Sequence, residues 1–344
     1  MSNHPPFARR PWLALLLLSP ALALAAETPV TQFDTLTVTA TRSEQTLDQV
    51  PSTVSVIGER QIDQQNINDI RDLVRFEPGV SVSGTGSRFG LSGFTIRGIG
   101  GNRVLTQVDG VAVPDAFTFG PFLSARRNYV DLDTVKQVEI IRGPASSLYG
   151  SDAIGGAVSF LTKDAGDYLD AGDDTYARLK TGYDGSDDSW QRSATFAARQ
   201  GQVDGLLHLG RRDGQATDTF SSRGGNGSAR GAANPVDYQT DNLLAKLGWD
   251  YAEGNRLQLV YERFQDDADT RVRSDYGTFS SIPIPIGPGM TLYSNSLSET
   301  SDAQDSVERE RFGLEHRLQL NSLLADQLNW QLNYQTSETR QKTL

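Results

Sequence analysis

The stretch "QLNWQLNYQT", Gln327–Thr336, alternates without a break. Leu328, Trp330, Leu332 and Tyr334 fall on one parity, and Asn329, Gln331, Asn333 and Gln335 on the other. Successive side chains of a strand point to opposite faces, so this is a strand with one apolar and one polar surface. Two earlier stretches repeat the pattern. "RFGLEHRLQL", residues 311–320, sets Phe312, Leu314, Leu318 and Leu320 against Arg311, Gly313, Glu315, Arg317 and Gln319. "NLLAKLGWDY", residues 242–251, sets Leu243, Ala245, Leu247, Trp249 and Tyr251 against Lys246, Gly248 and Asp250. Strands of roughly ten residues with one face of each kind suit a transmembrane barrel, although a soluble sandwich also alternates.

Connection lengths choose between the two. "ARQGQVDG", "YAEGNR" and "NSLLADQ" are tight, whereas "DGQATDTFSSRGGNGSARGAANPVDY" and the stretch from Ala268 to near Ser306 are long, polar and rich in Gly, Ser and Pro. Bacterial outer-membrane barrels have short periplasmic turns and long outer loops; a sandwich has no reason to sort its loops by end. Counting from near Thr175 gives about seven strands, fewer than the roughly eight of the smallest such barrels. The expectation is therefore an unfinished barrel, residues 164–344 being the N-terminal part of a longer one. Its open edges would lie near Tyr176 and Tyr334, and alone it would neither insert stably nor transport.

Upstream the texture changes. Arg9 and Arg10, an apolar run from Trp12 to Leu18, and Ala21, Ala23, Ala25 and Ala26 read as a secretory signal peptide over residues 1–26. Residues 27–46 are polar and Thr-rich, and carry "FDTLTVTATR", which alternates like a strand yet has no neighbour to pair with. A lone strand is not stable in water, so it must pair far along the chain or with another protein. Residues 47–163 form a compact α/β unit of about 120 residues. "NINDIRDLVRFEPGV" reads as a helix with Ile67, Ile70, Leu73 and Val74 on one face, capped at Asn66 or Asn68 and ended by Pro78-Gly79. "STVSVIG", "FTIRGI", "RVLTQVDGV", "KQVEIIRG" and "GAVSFLT" read as strands.

Composition excludes several classes. With 0 Cys there is no thiolate metal site or Cys nucleophile, and a net charge of -11 argues against nucleic acid as a partner. Enzyme motifs fail on spacing. "GTGSRFG" does not fit a dinucleotide turn, "GPASSLYG" lacks the Lys of a phosphate loop, and "GLSGF" is not a nucleophile elbow. "QDDADT" and "GDYLDAGDD" lack the full acidic loop spacing of a Ca²⁺ site. The chain is not expected to be an enzyme, nor to hold a metal or a resident cofactor.

The ordered blocks carry a family resemblance. "DTLTVTATR" resembles the TonB box of TonB-dependent outer-membrane receptors. "VPSTVSVIGERQI", "DLVRFEPGVSV", "FTIRGIGGNRVLTQVDGV" and "VEIIRGPASSLYGSDAIGGAVSFLTK" resemble successive blocks of that family's plug domain. The resemblance implies an α+β plug domain followed by the first strands of an antiparallel transmembrane β-barrel, in a bacterial outer membrane with a periplasmic N-terminus. It implies that Asp34, Thr35, Leu36, Thr37, Val38, Thr39 and Ala40 add as a strand to the energy-transducing protein TonB, which works with an inner-membrane complex. It also implies that Arg97, Glu139 and Arg142 form a breakable latch against charges of the barrel wall.

For cargo, the plug blocks look most like those of haem and haemoglobin receptors. The expected partners are haem or a haemoprotein and outer-membrane lipid; a ferric-siderophore receptor is the alternative, then cobalamin. A passive pore or adhesin would need neither box nor plug. Haem takes an axial His, Tyr, Met or Cys. The plug has no His, and its only tyrosines are Tyr129 and Tyr149. His208, on the lumen parity, and His316, on the lipid-facing parity, are poor candidates, so the ligand is expected beyond Leu344. Arg88, Phe89, Phe117 and Phe119, in "GTGSRFGLSG" and "PDAFTFGPF", are the expected substrate-facing plug residues.

Overall fold

The computed structural model describes residues 37–38, 45–46, 53–84, 88, 91–119, 123–124, 129–217, 219–320, 322 and 325–344, all within one compact unit, Leu36–Leu344. The expected signal peptide, Asp34, Thr35, Leu36, Thr39, Ala40 and Phe89 lie outside the described residues. Thr37–Val38 (β1) pairs antiparallel with Gln45–Thr46 (β2), Thr37 facing Thr46 and Val38 facing Gln45. The expectation that this stretch has no neighbour is corrected at these two positions, where the chain doubles back and supplies a short local partner.

The next elements run β3 (Thr53–Gly58), α1 (Glu59–Gln64), α2 (Ile70–Leu73), β4 (Val80–Gly84), β5 (Leu91–Ile96) and β6 (Ile99–Gly100). They continue through β7 (Val104–Val108), β8 (Val111–Ala112), β9 (Thr118–Phe119), β10 (Leu123–Ser124), β11 (Val135–Arg142), α3 (Ser146–Tyr149) and β12 (Gly156–Thr162). The helix expected over residues 66–78 is shortened to the single turn of α2, and α1 lies before it. Asn66 takes a left-handed φ of 48° and turns the chain, a conformation that Asn tolerates. The cap of α2 is Asp69, not Asn66 or Asn68; its carboxylate accepts the amide protons of Arg71 and Asp72.

Five strands form the central sheet in the order β3-β11-β12-β7-β8. β7 lies parallel to β12 and is buried along its whole length, as a parallel pair covered on both faces should be. On one face Ile57, Val138, Ile140, Val158 and Phe160 pack with α1, α2, Phe94 and Ile96. On the other, Leu105, Ile141 and Ala157 pack with Ala145 and Ala153. Gly156 is required where β12 starts: its φ is 146°, and a Cβ there would lie 2.2 Å from the carbonyl oxygen of Ile141.

The second half is β13 (Thr175–Asp184), β14 (Ser189–Gln200), β15 (Val203–Gln215), β16 (Val236–Ala252), β17 (Asn255–Arg271), β18 (Thr278–Gly287), β19 (Met290–Ser298), β20 (Asp302–Gln319) and β21 (Gln327–Thr343). Seven of these form one antiparallel sheet, β13-β14-β15-β16-β17-β20-β21, with β13 and β21 at its open edges. The connection expected from Ala268 to Ser306 is shorter than read. Pairing of β17 with β20 continues to Arg271↔Asp302, because polar side chains can alternate along a strand that has left the hydrocarbon. The remainder holds the separate β18–β19 hairpin.

The parities hold. Leu179, Phe196, Leu207, Leu209, Leu247, Leu259, Phe312, Leu332 and Tyr334 are exposed on the outer face, an apolar area that water would penalise and lipid would not. Lys246, Glu262, Arg309 and Arg311 are buried on the inner face. Trp249 and Tyr251, His316 and Trp330 gather on the outer face near the short turns, the Tyr251 hydroxyl 2.8 Å from His316 Nε2. Tyr183 and Trp190 stack near the other end. Aromatic girdles at both interfaces are the expected pattern for such a barrel. No helix among the described residues is long and apolar enough to cross a membrane, which says nothing of crossing by strands.

Candidate functional site

Plug aspartates placed on turns make the seam between plug and wall. "VDGV" turns tightly after β7, with Asp109 at φ 48° and Gly110 at 78°. The Asp109 carboxylate is thereby thrust at the wall. It accepts from the Thr162 amide at 2.8 Å, the Thr162 hydroxyl at 2.7 Å and Arg311 Nη2 at 2.7 Å. Arg311 is fully buried, and its Nε reaches Glu262 Oε2 at 3.1 Å. Glu262 also holds the buried Arg309. Burial alone would push the Asp109 carboxyl up, but the charges of Lys246 and Arg311 and the two Thr162 bonds hold it well below the ordinary carboxylate range.

The second contact lies where β12 ends. Asp164 accepts from Lys246 Nζ at 2.8 Å and Gln258 Nε2 at 3.0 Å, and Lys136 of the plug stands 3.3 Å away. Burial opposes ionisation there, yet Lys246 and Lys136 bring the carboxyl down to about 2. A third contact is the turn before β11. Asp131 Oδ1 caps that turn through the Asp133 amide at 3.0 Å. Its Oδ2 meets Asn242 Nδ2 at 3.2 Å and faces His208 Nε2 across 3.8 Å. Gly210 makes the notch: a Cβ there would lie 2.7 Å from Asp131 Oδ2. Asp133 binds Lys180, Gln191 and Ser193 of β13 and β14.

Near the long-connection end the polarity reverses. Arg88 of the plug grips Asp305 of β20 with two bonds of 2.9 Å and donates to the Thr343 hydroxyl at 2.7 Å. Arg88 was expected to face substrate; its placement against the wall corrects that reading, because a buried carboxylate lies within reach. Phe117 is 56% exposed. Phe119 contributes its backbone to β9, paired with Leu123.

The expected latch is corrected at Arg142. Arg142 ends β11 and bonds Glu77 and Ser55, both within the plug. Glu139 is buried in the central sheet and takes a bond from Gln137 Nε2 at 2.8 Å. Arg97 sits exposed at the turn into β6 with φ 50°, its side chain passing Gly79 and Gly143. The strand site of Arg142 turns it into the plug. The seam is instead carried by Asp109, Asp131, Asp133, Asp164 and Arg88 against Lys180, Asn242, Lys246, Arg311 and Asp305. One signal finds two of the five wall partners: Lys246 and Arg311 are long cations on the polar parity of otherwise amphipathic strands.

These contacts suit a separable joint. A buried ion pair contributes little net stability, since desolvation offsets attraction, yet it fixes position. Water can replace such partners one by one when the plug shifts, which an apolar seam does not allow. Glu262, shared by Arg309 and Arg311, leaves the wall partly neutralised when Asp109 departs.

Residues 46–157 match the family model described as the TonB-dependent receptor plug domain. The chain belongs to the TonB-dependent receptors. It is 32% identical over 265 residues to the hemoglobin and hemoglobin-haptoglobin-binding protein A of Haemophilus influenzae, covering 73% of this chain and 24% of that protein. It is 34% identical over 244 residues to the hemin receptor of Yersinia pestis, covering 69% and 34%. The chain thus spans about a quarter to a third of the length of these two relatives. The fold is shared with the FrpB iron transporter from Neisseria meningitidis, with a TM-score of 0.60 at 21% identity over 84% of this chain and 41% of that one. TonB-dependent receptors of this kind are outer-membrane proteins.

Proposed function

We propose that the complete receptor takes up haem, free or drawn from a haemoprotein, across the outer membrane with energy delivered through TonB. The likeness to relatives named for hemoglobin and hemin, at 32% and 34% identity, carries the choice of cargo. The polar seam supports the energised part of the reading: a plug held by ion pairs stays seated at rest and yields to a pull. In this reading the N-terminus is periplasmic, and Thr37 and Val38 leave their pairing with β2 as the segment Asp34 to Ala40 adds to TonB as a strand. Haem is cargo, and the receptor keeps no resident cofactor. Of the plug-loop residues expected to meet it, Phe117 presents an exposed ring to a flat aromatic ligand; Phe89 and Phe119 are assigned beside it.

The test is growth. A haem-auxotrophic, iron-starved strain carrying the complete receptor should grow on haemin, and the purified receptor should shift the haemin Soret band. Growth on ferric siderophores alone, with no Soret change, would establish the alternative cargo.

A further inference from the structure

On the outer face, just past the apolar belt toward the long connections, three arginines surround a groove. Arg192 of β14 and Arg211 of β15 are direct cross-strand partners. Arg263 of β17 stands opposite Leu243 of β16. The groove is lined by these three, by Asp241, and by Leu179, Leu209 and Leu243. Two like charges directly opposite each other across a strand pair are unfavourable. Here they sit on a face that points away from plug and lumen, in a chain of net charge -11.

Carboxylates orient the guanidiniums without using them up. Among the described residues, Arg192 donates to Asp213 from Nη1 at 3.0 Å. Arg211 engages Asp241 through Nε at 2.7 Å and Nη2 at 3.0 Å. Arg263 reaches Glu308 from Nε at 2.7 Å and Gln265 from Nη2 at 2.9 Å, and Glu310 lies 3.7 Å from its Nε. Nε and Nη2 of Arg192 and Nη1 of Arg211 and Arg263 remain for a further acceptor. Tyr183 and Trp190, cross-strand partners with rings 5.2 Å apart, lie farther toward the β13–β14 turn, Trp190 two residues before Arg192, as aromatic side chains do at a headgroup boundary.

We propose that this groove seats the phosphorylated headgroup of an outer-leaflet glycolipid, with acyl chains lying along Leu179, Leu209 and Leu243. The proposal rests on the outer-membrane reading, in which the long connections face outward. Guanidinium forks match phosphate oxygens in geometry and charge, and a phosphate between the directly opposed Arg192 and Arg211 would accept from the guanidinium nitrogens that Asp213 and Asp241 do not engage. Continuity with the lipid-facing belt commits the occupant to a membrane lipid and not a soluble phosphate.

The test uses the complete receptor in mild detergent, with bisphosphorylated lipid A, its dephosphorylated form and a zwitterionic phospholipid as probes, read by native mass spectrometry. Wild type should retain bisphosphorylated lipid A preferentially. The Arg192→Gln/Arg211→Gln pair should weaken that retention on the order of 10- to 30-fold, from two lost cationic contacts, and leave the other two lipids unchanged. Arg340→Gln, on the same face and paired with Glu338, should behave as wild type. Equal retention by wild type and the double variant, or equal retention of phosphorylated and dephosphorylated lipid A, would overturn the proposal. Heat-modifiable gel mobility checks that each variant is folded. If wild type itself lacks that mobility, the barrel reading fails instead.

Discussion

Asp109→Asn removes one charge from the seam and little else. Asn is nearly the same size and tolerates φ 48°, so the turn survives. The carboxylate it replaces serves three donors: the Thr162 amide on Oδ1, and the Thr162 hydroxyl and Arg311 Nη2 on Oδ2. With the amide oxygen kept toward Arg311, the new NH₂ group faces the Thr162 N–H, leaving buried donors unpaired at about 1–3 kcal/mol. The bond to Arg311 also loses its ionic character, roughly half its strength, about 1 kcal/mol. Glu262 still holds Arg311, so the cost stays below the roughly 3–5 kcal/mol of stranding a buried charge entirely. The expected total is about 2–4 kcal/mol against plug seating. Hydrogen exchange of amides in Val104–Ala112 and at Thr162, in the complete receptor, reads that change directly. Protection should fall on the order of 30- to 1,000-fold at about 1.4 kcal/mol per tenfold. A fall of less than about threefold would refute the reasoning. So would additive costs for Asp109→Asn and Arg311→Met, since residues in one ion pair must show coupling.

Other consequences follow from the same contacts. Asp109 and Asp164 have carboxyls lowered in the folded state, Asp164 to about 2. Their contribution is therefore complete above the unfolded value of about 4 and is lost as pH falls through the folded one; plug protection should be flat from pH 8 to 5 and decline between about pH 4 and pH 2. Arg88→Ala should loosen the plug loop that grips Asp305 while leaving haemin affinity unchanged in a titration of the complete receptor; a lost Soret shift would return Arg88 to the substrate. Gly156→Ala should cost more than about 2 kcal/mol, seen as a plug that proteases cut in an otherwise heat-modifiable barrel, because a Cβ there meets the Ile141 carbonyl. Val38→Pro should abolish energised uptake but not surface binding, since proline removes a ladder donor; uptake at the wild-type rate would unseat the TonB-box assignment.

Local pattern was enough for the strands. Alternation along "QLNWQLNYQT" and "NLLAKLGWDY" already says which side chains face lipid and which face the lumen, because the period of a strand is fixed by its backbone. The same parity puts Lys246 and Arg311 on the polar face, and the plug's apolar runs mark its sheet. Partnerships were not legible in the same way. Arg142 sits in a run of the expected kind, yet the sheet turns it to Glu77. Asp109 and Arg311 are 202 residues apart, and Arg88 and Asp305 217. Which charge meets which depends on the stagger of β13–β21, on how the plug sits against that stagger, and on small gaps such as Gly210. An ion pair reaches only a few ångströms, so composition can supply its members, but only the tertiary structure brings them within range.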